Sequence, residues 1–373
     1  MLTNWKLIIL SIVLFSCGQN KQSTSNATEE NQGKISEEEM LQVLVTVKPE
    51  GSIIPFQLSS KTGKLIKQEP FKIPGGPATL FLTKDKKQLY AGLRDINTAA
   101  LLTIDTFGQL QVKDTFPLGL NPVHMFLDHT EKYLWAASYG DSAWAVFEVN
   151  EDRSINSTPI TRIEGLSKAH QIIVREKENW VMVPALGMNS LYVFDREKAI
   201  AGTIEEPIQK LEFPEGTGPR HLVWHPTKPM LFVSGELNST VTSIIVNQET
   251  GLLELKSQVS SLPEGFTDKN TLAQIKISAD GKQVYTSNRG HNSMAVYDIL
   301  EEAPWLKLKQ NIATPPIPRA FEFDPESKWL LAAGQGSGEM MLYKRDESTG
   351  LLTHKETVFV GKQSFWIEIF KPE

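Results

Sequence analysis

The chain has 373 residues, of which 40 % are hydrophobic and 22 % are charged, and its formal net charge is −6. This composition is ordinary for a globular protein with a sizeable core, and it excludes a chain that is disordered throughout. Because no run of Lys or Arg is present, the sequence has no basic patch of the kind that binds DNA or RNA, and we exclude nucleic acid as a partner.

The first residues have the layout of an export signal. Residues 1–17 read "MLTNWKLIILSIVLFSC", with one lysine, an apolar run and the only cysteine of the chain. The run is too short to span a bilayer comfortably, and its end resembles the lipobox of bacterial lipoproteins, in which the cysteine is lipidated. We therefore predict a signal peptide over residues 1–16, lipidation at Cys17, and an exported protein whose only membrane contact is a lipid anchor at the cell envelope.

Residues 17–39 are almost entirely polar, which is the composition of a flexible tether. The folded domain is expected to cover residues 40–373. Because Cys17 is the only cysteine, that domain has no disulfide and no cysteine ligand for a metal, so its stability must come from its core.

Six segments of the remaining chain can be aligned with almost no gaps. They begin at Gly76, Asn121, Lys168, Gly218, Thr271 and Ile317. Each contains a short apolar strand, a polar turn such as Asp280-Gly281-Lys282, a second apolar strand and then a third, such as "SMAVYDI" or "TVTSIIV". Successive segments lie 45 to 53 residues apart, a spacing that four short strands fill and that is typical of a β-propeller blade.

A seventh repeat is split between the two ends of the domain. "KQSFWIEIF", from Lys362, reads as a first strand, and residues 41–68 read as the second, third and fourth strands of the same blade. The sequence therefore predicts an all-β, seven-bladed β-propeller whose last blade is closed by strands from both termini. Helical repeats are excluded because no amphipathic period of 3.6 residues persists.

Two repeat positions carry charge or imidazole where other repeats have small or apolar residues. The third position, at the start of the innermost strand, is occupied by Ala78, Val123, His170, Arg220, Ala273 and Arg319. The nineteenth, at the end of the second strand, is occupied by Arg94, Tyr139, Leu186, Glu236, Arg289 and Gln335. Antiparallel pairing brings both positions to the same mouth of the central channel. His170, Arg220, Glu236 and Arg289 should therefore converge, with Arg220 and Glu236 as cross-strand neighbours.

This set of residues is chemically coherent. Arginine offers a planar, permanently charged fork to a carboxylate, phosphate or developing oxyanion, whereas Glu and His exchange protons near neutral pH. The loop at residues 260–270, in the longest repeat, is expected to reach the same mouth and to form part of its wall. The alternative is purely structural, because polar residues in propeller channels often pair with one another.

The combination of G-P-R-H at residues 218–221, E-L-x-S-T-V at residues 236–241 and S-N-R-G at residues 287–290 closely resembles the lactonase family of seven-bladed propellers, which includes 6-phosphogluconolactonases and carboxymuconate-cyclising enzymes. The resemblance extends from about residue 40 to the C-terminus. It implies hydrolysis of a sugar-acid lactone, a small-molecule substrate, without a metal or other cofactor. The residues that match those proposed to act in the carboxymuconate-cyclising members are His170, Arg220, Glu236 and Arg289.

Four more residues at or beside these positions are expected to bind the substrate: His221, Asn288, Arg319 and Gln335. One rim turn departs from the family pattern, since residues 185–189 read Ala-Leu-Gly-Met-Asn where members usually have Asp-Leu-Gly-x-Asp. Export is a second departure, because 6-phosphogluconolactone is a cytosolic metabolite, and it suggests another sugar-acid lactone as the substrate.

We expect a monomer. The rival function is a non-catalytic propeller that binds a glycan or a protein at the envelope. A quinone- or metal-dependent dehydrogenase has little support, because no cluster of ligands has the required spacing.

Overall fold

A computed structural model describes residues 40–105 and 108–372. The predicted signal peptide, the lipidation site Cys17 and the tether lie outside the described residues and stay predictions. Within the described part, no helix is long and apolar enough to cross a membrane. The helices there are α1 (Arg196–Ala201) and two 3-10 turns, Lys48–Glu50 and Leu186–Met188.

The strands form seven antiparallel sheets arranged as consecutive blades. The closing blade contains β1 (Met40–Val47), β2 (Ser52–Ser59), β3 (Leu65–Lys67), β4 (Phe71–Lys72) and the last strand of the chain, β29 (Ser364–Phe370). Blade one contains β5 (Pro77–Leu82), β6 (Gln88–Leu93), β7 (Thr98–Ile104) and β8 (Leu110–Pro117). Blade two contains β9 (His124–Leu127), β10 (Tyr133–Ser138), β11 (Ala143–Glu148) and β12 (Thr161–Ile163). Blade three contains β13 (Ile173–Arg175), β14 (Trp180–Ala185), β15 (Ser190–Asp195) and β16 (Gln209–Glu212). Blade four contains β17 (Pro219–Trp224), β18 (Met230–Gly235), β19 (Thr240–Val246) and β20 (Leu253–Ser260). Blade five contains β21 (Thr271–Ile277), β22 (Gln283–Arg289), β23 (Ser293–Ile299) and β24 (Leu306–Ala313). Blade six contains β25 (Pro318–Phe323), β26 (Trp329–Gly334), β27 (Glu339–Arg345) and β28 (Leu352–Phe359).

The two ends of the domain meet in the closing blade. β29 pairs with β1 in antiparallel register, with Val45 opposite Ile367, and β1 pairs in turn with β2. The first strand of this blade therefore comes from the C-terminus and the others from the N-terminal side, as the repeat alignment predicts. The seven-bladed all-β fold and its closure by both termini are confirmed.

The core lies between neighbouring blades. The described residues form seven apolar clusters, and each cluster packs the facing sheets of two adjacent blades. One cluster, for example, joins Trp135 and Trp144 of the second blade to Phe194 of the third. Fully burying one large apolar side chain stabilises the fold by about 1.5–3 kcal/mol. Each blade is thus held by two apolar interfaces, and closing the ring leaves no blade with an uncovered face.

Most inner strands contain a β-bulge at the third and fourth repeat positions. The register shifts between Pro77 and Leu80, between Pro219 and Leu222, between Leu272 and Ile275, and between Pro318 and Ala320. On β29 the shift skips Phe365. A regular strand turns successive side chains to opposite faces, whereas a bulge re-aims them. Two consecutive residues of one strand can therefore line the channel mouth.

Candidate active site

Glu236 joins two of the predicted arginines. It follows β18, and its carboxylate Oε2 lies 2.8 Å from Arg220 Nε on β17, while Oε1 lies 3.0 Å from Arg289 Nη2 at the end of β22. Arg289 also donates to the Leu272 carbonyl oxygen at 2.6 Å. The backbone partner of Glu236 is Gly218, whose oxygen accepts from the Glu236 N–H, so Arg220 is its diagonal neighbour and not directly opposite it.

Arg220 is among the most deeply buried charged side chains, with a relative exposure of 1 %. Its Nε forms the ion pair with Glu236, whereas its Nη1 has no hydrogen-bond partner among the described residues. Burial, and next the charge of Arg319, lower the pKa of Arg220 well below its usual value. A guanidinium nevertheless keeps its proton in proteins. The result is a buried cation with one carboxylate partner and with unused N–H donors on Nη1, and buried donors are costly to leave unpaired unless a ligand accepts from them.

His170 lies just before β13, in an irregular stretch that follows an isolated bridge between Ala169 and Ala185. Its Nδ1 lies 3.2 Å from Nε2 of His221, and the two rings meet edge to face at 5.0 Å between centroids. Burial, and then the charges of Arg220 and Arg319, lower the pKa of His170 well below 6.5. His170 is therefore a neutral imidazole at neutral pH, able to accept a proton.

One cavity connects these groups. It is lined by residues of the third and fourth repeat positions: Ala78, Thr79, Val123, His170, Arg220, His221, Gln274, Arg319, Phe365 and Trp366. It has room for about one water molecule. His170 and Arg220 thus face one small space, whereas Glu236 and Arg289 lie beside it, behind Arg220.

The other predicted substrate contacts are placed differently from one another. His221 and Arg319 line the cavity, whereas Asn288 and Gln335 do not. The Asn288 amide is fully buried and accepts from the Ser261 hydroxyl and the Asn270 amide, while it donates to the Ser261 carbonyl and the Ser293 hydroxyl. Its hydrogen-bonding capacity is therefore used to hold the two ends of the loop at residues 260–270. That loop does not line the cavity; its Phe266 packs on His291 at the rim.

Gln335 has no side-chain hydrogen bond to any residue in the described part of the chain. Its backbone N–H donates to the Ile317 carbonyl, and its own carbonyl accepts from Gln363. The first bond lies within the sixth blade, and the second joins that blade to the start of the closing blade. The structure therefore brings six of the eight predicted site residues together and places Asn288 and Gln335 among the supports of the rim.

Sequence reasoning missed the other polar and aromatic residues of this mouth. The cavity includes Thr79, Gln274, Phe365 and Trp366, and His124 packs edge to face against both His221 and Trp366. Burial lowers the pKa of His124 to about 3, so this ring is neutral too. Except for Phe365, these residues occupy the fourth repeat position. The sequence did contain a signal for them, because polar side chains recur at the fourth position of an otherwise apolar strand. The β-bulge explains why side chains at this position face the mouth.

The departing rim turn has a structural role. Asn189 adopts a left-handed conformation, with φ of 50°, and its Oδ1 accepts from the Gly218 N–H at 2.8 Å. Its amide donates to the carbonyls of Phe213 and Pro214. Because Gly218 is two residues before Arg220, Asn189 fixes the start of the strand that carries the buried arginine.

A second charged cluster lies on the inner strands β21, β25 and β29. Lys276 forms an ion pair with Glu322, and the Trp366 indole N–H donates to Glu368 Oε2 at 3.2 Å. Burial, and next the Glu322 charge, raise the pKa of Glu368 to about 7, although Lys276 acts in the opposite direction. Glu368 is therefore partly protonated at neutral pH.

This raised pKa predicts a pH-dependent stability. Between pH 4.5 and 7 the folded state holds a proton on Glu368 that the unfolded state releases, so the stabilisation is complete below pH 4.5 and is lost as the pH rises through 7. We expect wild type to lose about 1–3 kcal/mol more than Glu368→Gln between pH 5 and pH 8, measured by chemical denaturation. The exposed Glu347→Gln variant is the control and should behave as wild type. Equal pH dependence in Glu368→Gln and wild type would contradict the raised pKa.

No group of three or more His, Cys, Asp or Glu side chains in the described ranges is arranged to hold a metal ion. Although His124, His170 and His221 are neighbours, the shared hydrogen bond uses one nitrogen each of His170 and His221. The ionisable groups that the described residues place at this mouth include imidazoles, guanidinium groups and the Glu236 carboxylate.

Comparison with known proteins agrees with this architecture. The family described as "Lactonase, 7-bladed beta-propeller" matches residues 42–369. The chain is 28 % identical over 332 residues to the 6-phosphogluconolactonase of Cronobacter sakazakii, covering 88 % of this chain and 98 % of that protein. It is also 28 % identical over 333 residues to the 6-phosphogluconolactonase of Erwinia tasmaniensis, covering 89 % of this chain and 99 % of that one.

Solved structures share the fold. The periplasmic gluconolactonase of Pseudomonas aeruginosa superposes with a TM-score of 0.79 at 21 % identity, covering 89 % of this chain and 99 % of that one. A putative 6-phosphogluconolactonase from Bacteroides fragilis gives a TM-score of 0.79 at 20 % identity, covering 90 % and 99 % of the two chains. The chain therefore belongs to the lactonase family of seven-bladed β-propellers and is, by that membership, a carboxylic-ester hydrolase of the lactone-hydrolysing class.

Proposed function

We propose that this protein hydrolyses a sugar-acid lactone, of the 6-phosphogluconolactone type, at the channel mouth that holds His170 and Arg220. The observation that carries the proposal is that a neutral imidazole and a buried guanidinium with unused donors line the same water-sized cavity. The names of the relatives support the substrate class. We also propose that the chain is exported, anchored through a lipid on Cys17, and monomeric.

His170 is the proposed general base. If His170 Nδ1–H donates to His221 Nε2, the lone pair of His170 Nε2 is free to accept a proton from water. Water then attacks the lactone carbonyl carbon, and its proton moves to His170. When the ring C–O bond breaks, the same proton passes to the leaving alkoxide oxygen. The products are a hydroxyl group and a carboxylic acid, which ionises at neutral pH.

The arginines are the proposed electrostatic catalysts. The carbonyl oxygen becomes an oxyanion during attack, and the unused Arg220 donors offer it charge and hydrogen bonds in a site from which bulk water is excluded. Glu236 is the positioning group, because its carboxylate contacts both Arg220 and Arg289. The lactone itself is larger than the cavity, so it would lie across the mouth with its carbonyl directed at the cavity.

A pH-stat assay of the full-length chain in detergent tests this proposal. The panel contains D-glucono-δ-lactone, its 6-phosphate and a galactonolactone, each corrected for spontaneous opening. We expect turnover of at least one lactone, a fall of about 10²–10⁴-fold in kcat for His170→Gln, and no change for the exposed control His354→Gln. Because the pKa of His170 is lowered, kcat/KM should stay level as the pH falls through 6.5.

Two outcomes would overturn the proposal. The first is that no lactone opens faster than in buffer, and the second is that His170→Gln is as active as wild type. Saturable binding of a glycan or protein without turnover would favour the non-catalytic alternative.

A further inference from the structure

The side of the mouth formed by the sixth, closing and first blades holds two more arginines around one aromatic ring. Arg319 Cζ lies 4.8 Å from the ring centroid of Phe365, and Arg94 Cζ lies 6.0 Å from the same centroid. Arg319 is on the sixth blade, Phe365 on the closing blade and Arg94 on the first. His170, Arg220 and Arg289 occupy blades three to five, so the two groups divide the ring of blades between them.

Arg319 and Phe365 each lie at a β-bulge that directs the side chain to the mouth. The register of β25 shifts across Arg319, and that of β29 shifts across Phe365. Each is therefore the extra residue of its strand, a position that re-aims a side chain. Both line the cavity that also contains His170 and Arg220.

The guanidinium groups here have donors to spare. Arg319 makes no hydrogen bond or ion pair with any residue in the described ranges, and its contact with Phe365 is a cation–π contact. Arg94 donates from Nε to Asn121 Oδ1 at 2.7 Å, which fixes the stem of its guanidinium and leaves the two terminal nitrogens unused. Asp95, the adjacent carboxylate, is paired with Lys48.

Charge balance points the same way. Four arginines surround the mouth: Arg94, Arg220, Arg289 and Arg319. The Glu236 carboxylate contacts two of them, Arg220 and Arg289. The charges of Arg289 and Arg94 repel that of Arg319, and Glu236 offsets part of this repulsion, as Asp95 does for Arg94. A phosphate or carboxylate between the two guanidinium groups would accept bidentate, charge-assisted hydrogen bonds and add to this countercharge.

The geometry points to an anion subsite formed by Arg94, Arg319 and Phe365, which binds a phosphate or carboxylate group carried by the substrate at the end remote from its lactone ester. This inference rests on the proposed function for its substrate, but not for its binding residues. The mouth would then have two binding regions. The ester would lie at blades three to five, and the anionic group would lie at the sixth, closing and first blades. A lactone with an anionic tail would therefore be held at both ends.

Binding of ring-opened acids tests the subsite without any turnover. Isothermal titration calorimetry of the full-length chain would compare gluconate, gluconate 6-phosphate and glucarate, which share a polyol chain and differ in the group at the far end. We expect wild type to bind one or both of the compounds that have a second anionic group about tenfold or more tightly than gluconate. The compound preferred tells a phosphate subsite from a carboxylate subsite.

Variants identify the residues. Arg319→Gln and Arg94→Gln should each lower the preference for the anionic compound over gluconate by about tenfold, and Arg319→Lys should retain part of it because the charge remains. Arg162→Gln is the matched control, since this arginine is on the outer strand β12 and bonds to Glu164 and the Gly119 carbonyl. It should bind all three compounds as wild type does.

The outcomes separate the two proposals. If Arg319→Gln weakens gluconate and its 6-phosphate by the same factor, or weakens neither, the subsite is overturned while lactone hydrolysis stands. If no lactone is turned over but the anionic preference is present and disappears in Arg319→Gln, the subsite stands and the proposed function falls. Thermal unfolding of each variant checks that any loss of preference arises in a folded protein.

Discussion

Replacing Glu236 with Gln is expected to destabilise the protein by about 3–5 kcal/mol, which is the usual cost of removing one partner from a buried ion pair. Glu236 contacts Arg220 and Arg289 through different oxygens. Without its charge, the buried Arg220 and the partly buried Arg289 would have no carboxylate in contact among the described residues. Arg220 is affected most, because it is 1 % exposed and already has unused donors.

Chemical denaturation of Glu236→Gln would measure this cost, with the exposed loop variant Glu264→Gln as the control that should stay within about 0.5 kcal/mol of wild type. Added phosphate should restore part of the lost stability, because an anion that binds only the folded state stabilises it by mass action. In an Arg220→Met background the same change should cost less, since the two residues share one interaction. A Glu236→Gln protein as stable as wild type would contradict the role of Glu236 as the counterion.

The repeat alignment could predict the fold because the same pattern of strands and turns recurs in each of the seven blades. Strand order, blade period and the meeting of β1 with β29 all follow from spacing and apolar alternation. The same alignment placed Arg220, Glu236 and Arg289 at one mouth, because antiparallel neighbours must meet there. Contact between them required only that the blades be adjacent.

The residues that line the mouth could not be predicted as fully, because a β-bulge interrupts the alternation of side chains between the two faces of a strand. Regular pleating would have turned His221 and Trp366 away from the channel if their preceding neighbours, Arg220 and Phe365, faced it. The register shifts on the inner strands place residues of both positions around one cavity. Asn288 illustrates the opposite error, since its motif suggested a ligand contact while its four hydrogen bonds hold a loop.

The histidine pair depends on both kinds of position. His170 belongs to the third repeat position of its blade and His221 to the fourth position of the next, and only the local irregularity of the two strands brings their nitrogens to 3.2 Å. A tautomer in which His221 accepts from His170 frees the remaining nitrogen of His170 for proton transfer. His221 is therefore a positioning residue in the proposed mechanism, and His170 is the group that would touch the reacting water.

Arg220→Met is expected to separate activity from stability. Methionine is unbranched, shorter than arginine and uncharged, so the variant loses the donors proposed to stabilise the oxyanion, and kcat/KM should fall by about 10²–10³-fold on any lactone that wild type turns over. The fold should not suffer in proportion. Glu236 keeps its contact with Arg289, the repulsion between Arg220 and Arg319 disappears, and the buried donors without partners are removed.

The unfolding free energy of Arg220→Met should therefore equal or exceed that of wild type, because Glu236 keeps Arg289 as a cationic partner while the costly burial of the Arg220 charge is removed. Arg220→Lys keeps the charge but loses the planar fork, so it should recover part of the activity and none of the added stability. A variant that is inactive because it is unfolded would show a lowered denaturation midpoint, and an Arg220→Met protein that is stable and fully active would remove Arg220 from the mechanism. Because Glu236→Gln and Arg220→Met break the same contact from opposite sides, opposite signs of their stability changes would identify Arg220 as a charge held in place for function at a cost to the fold.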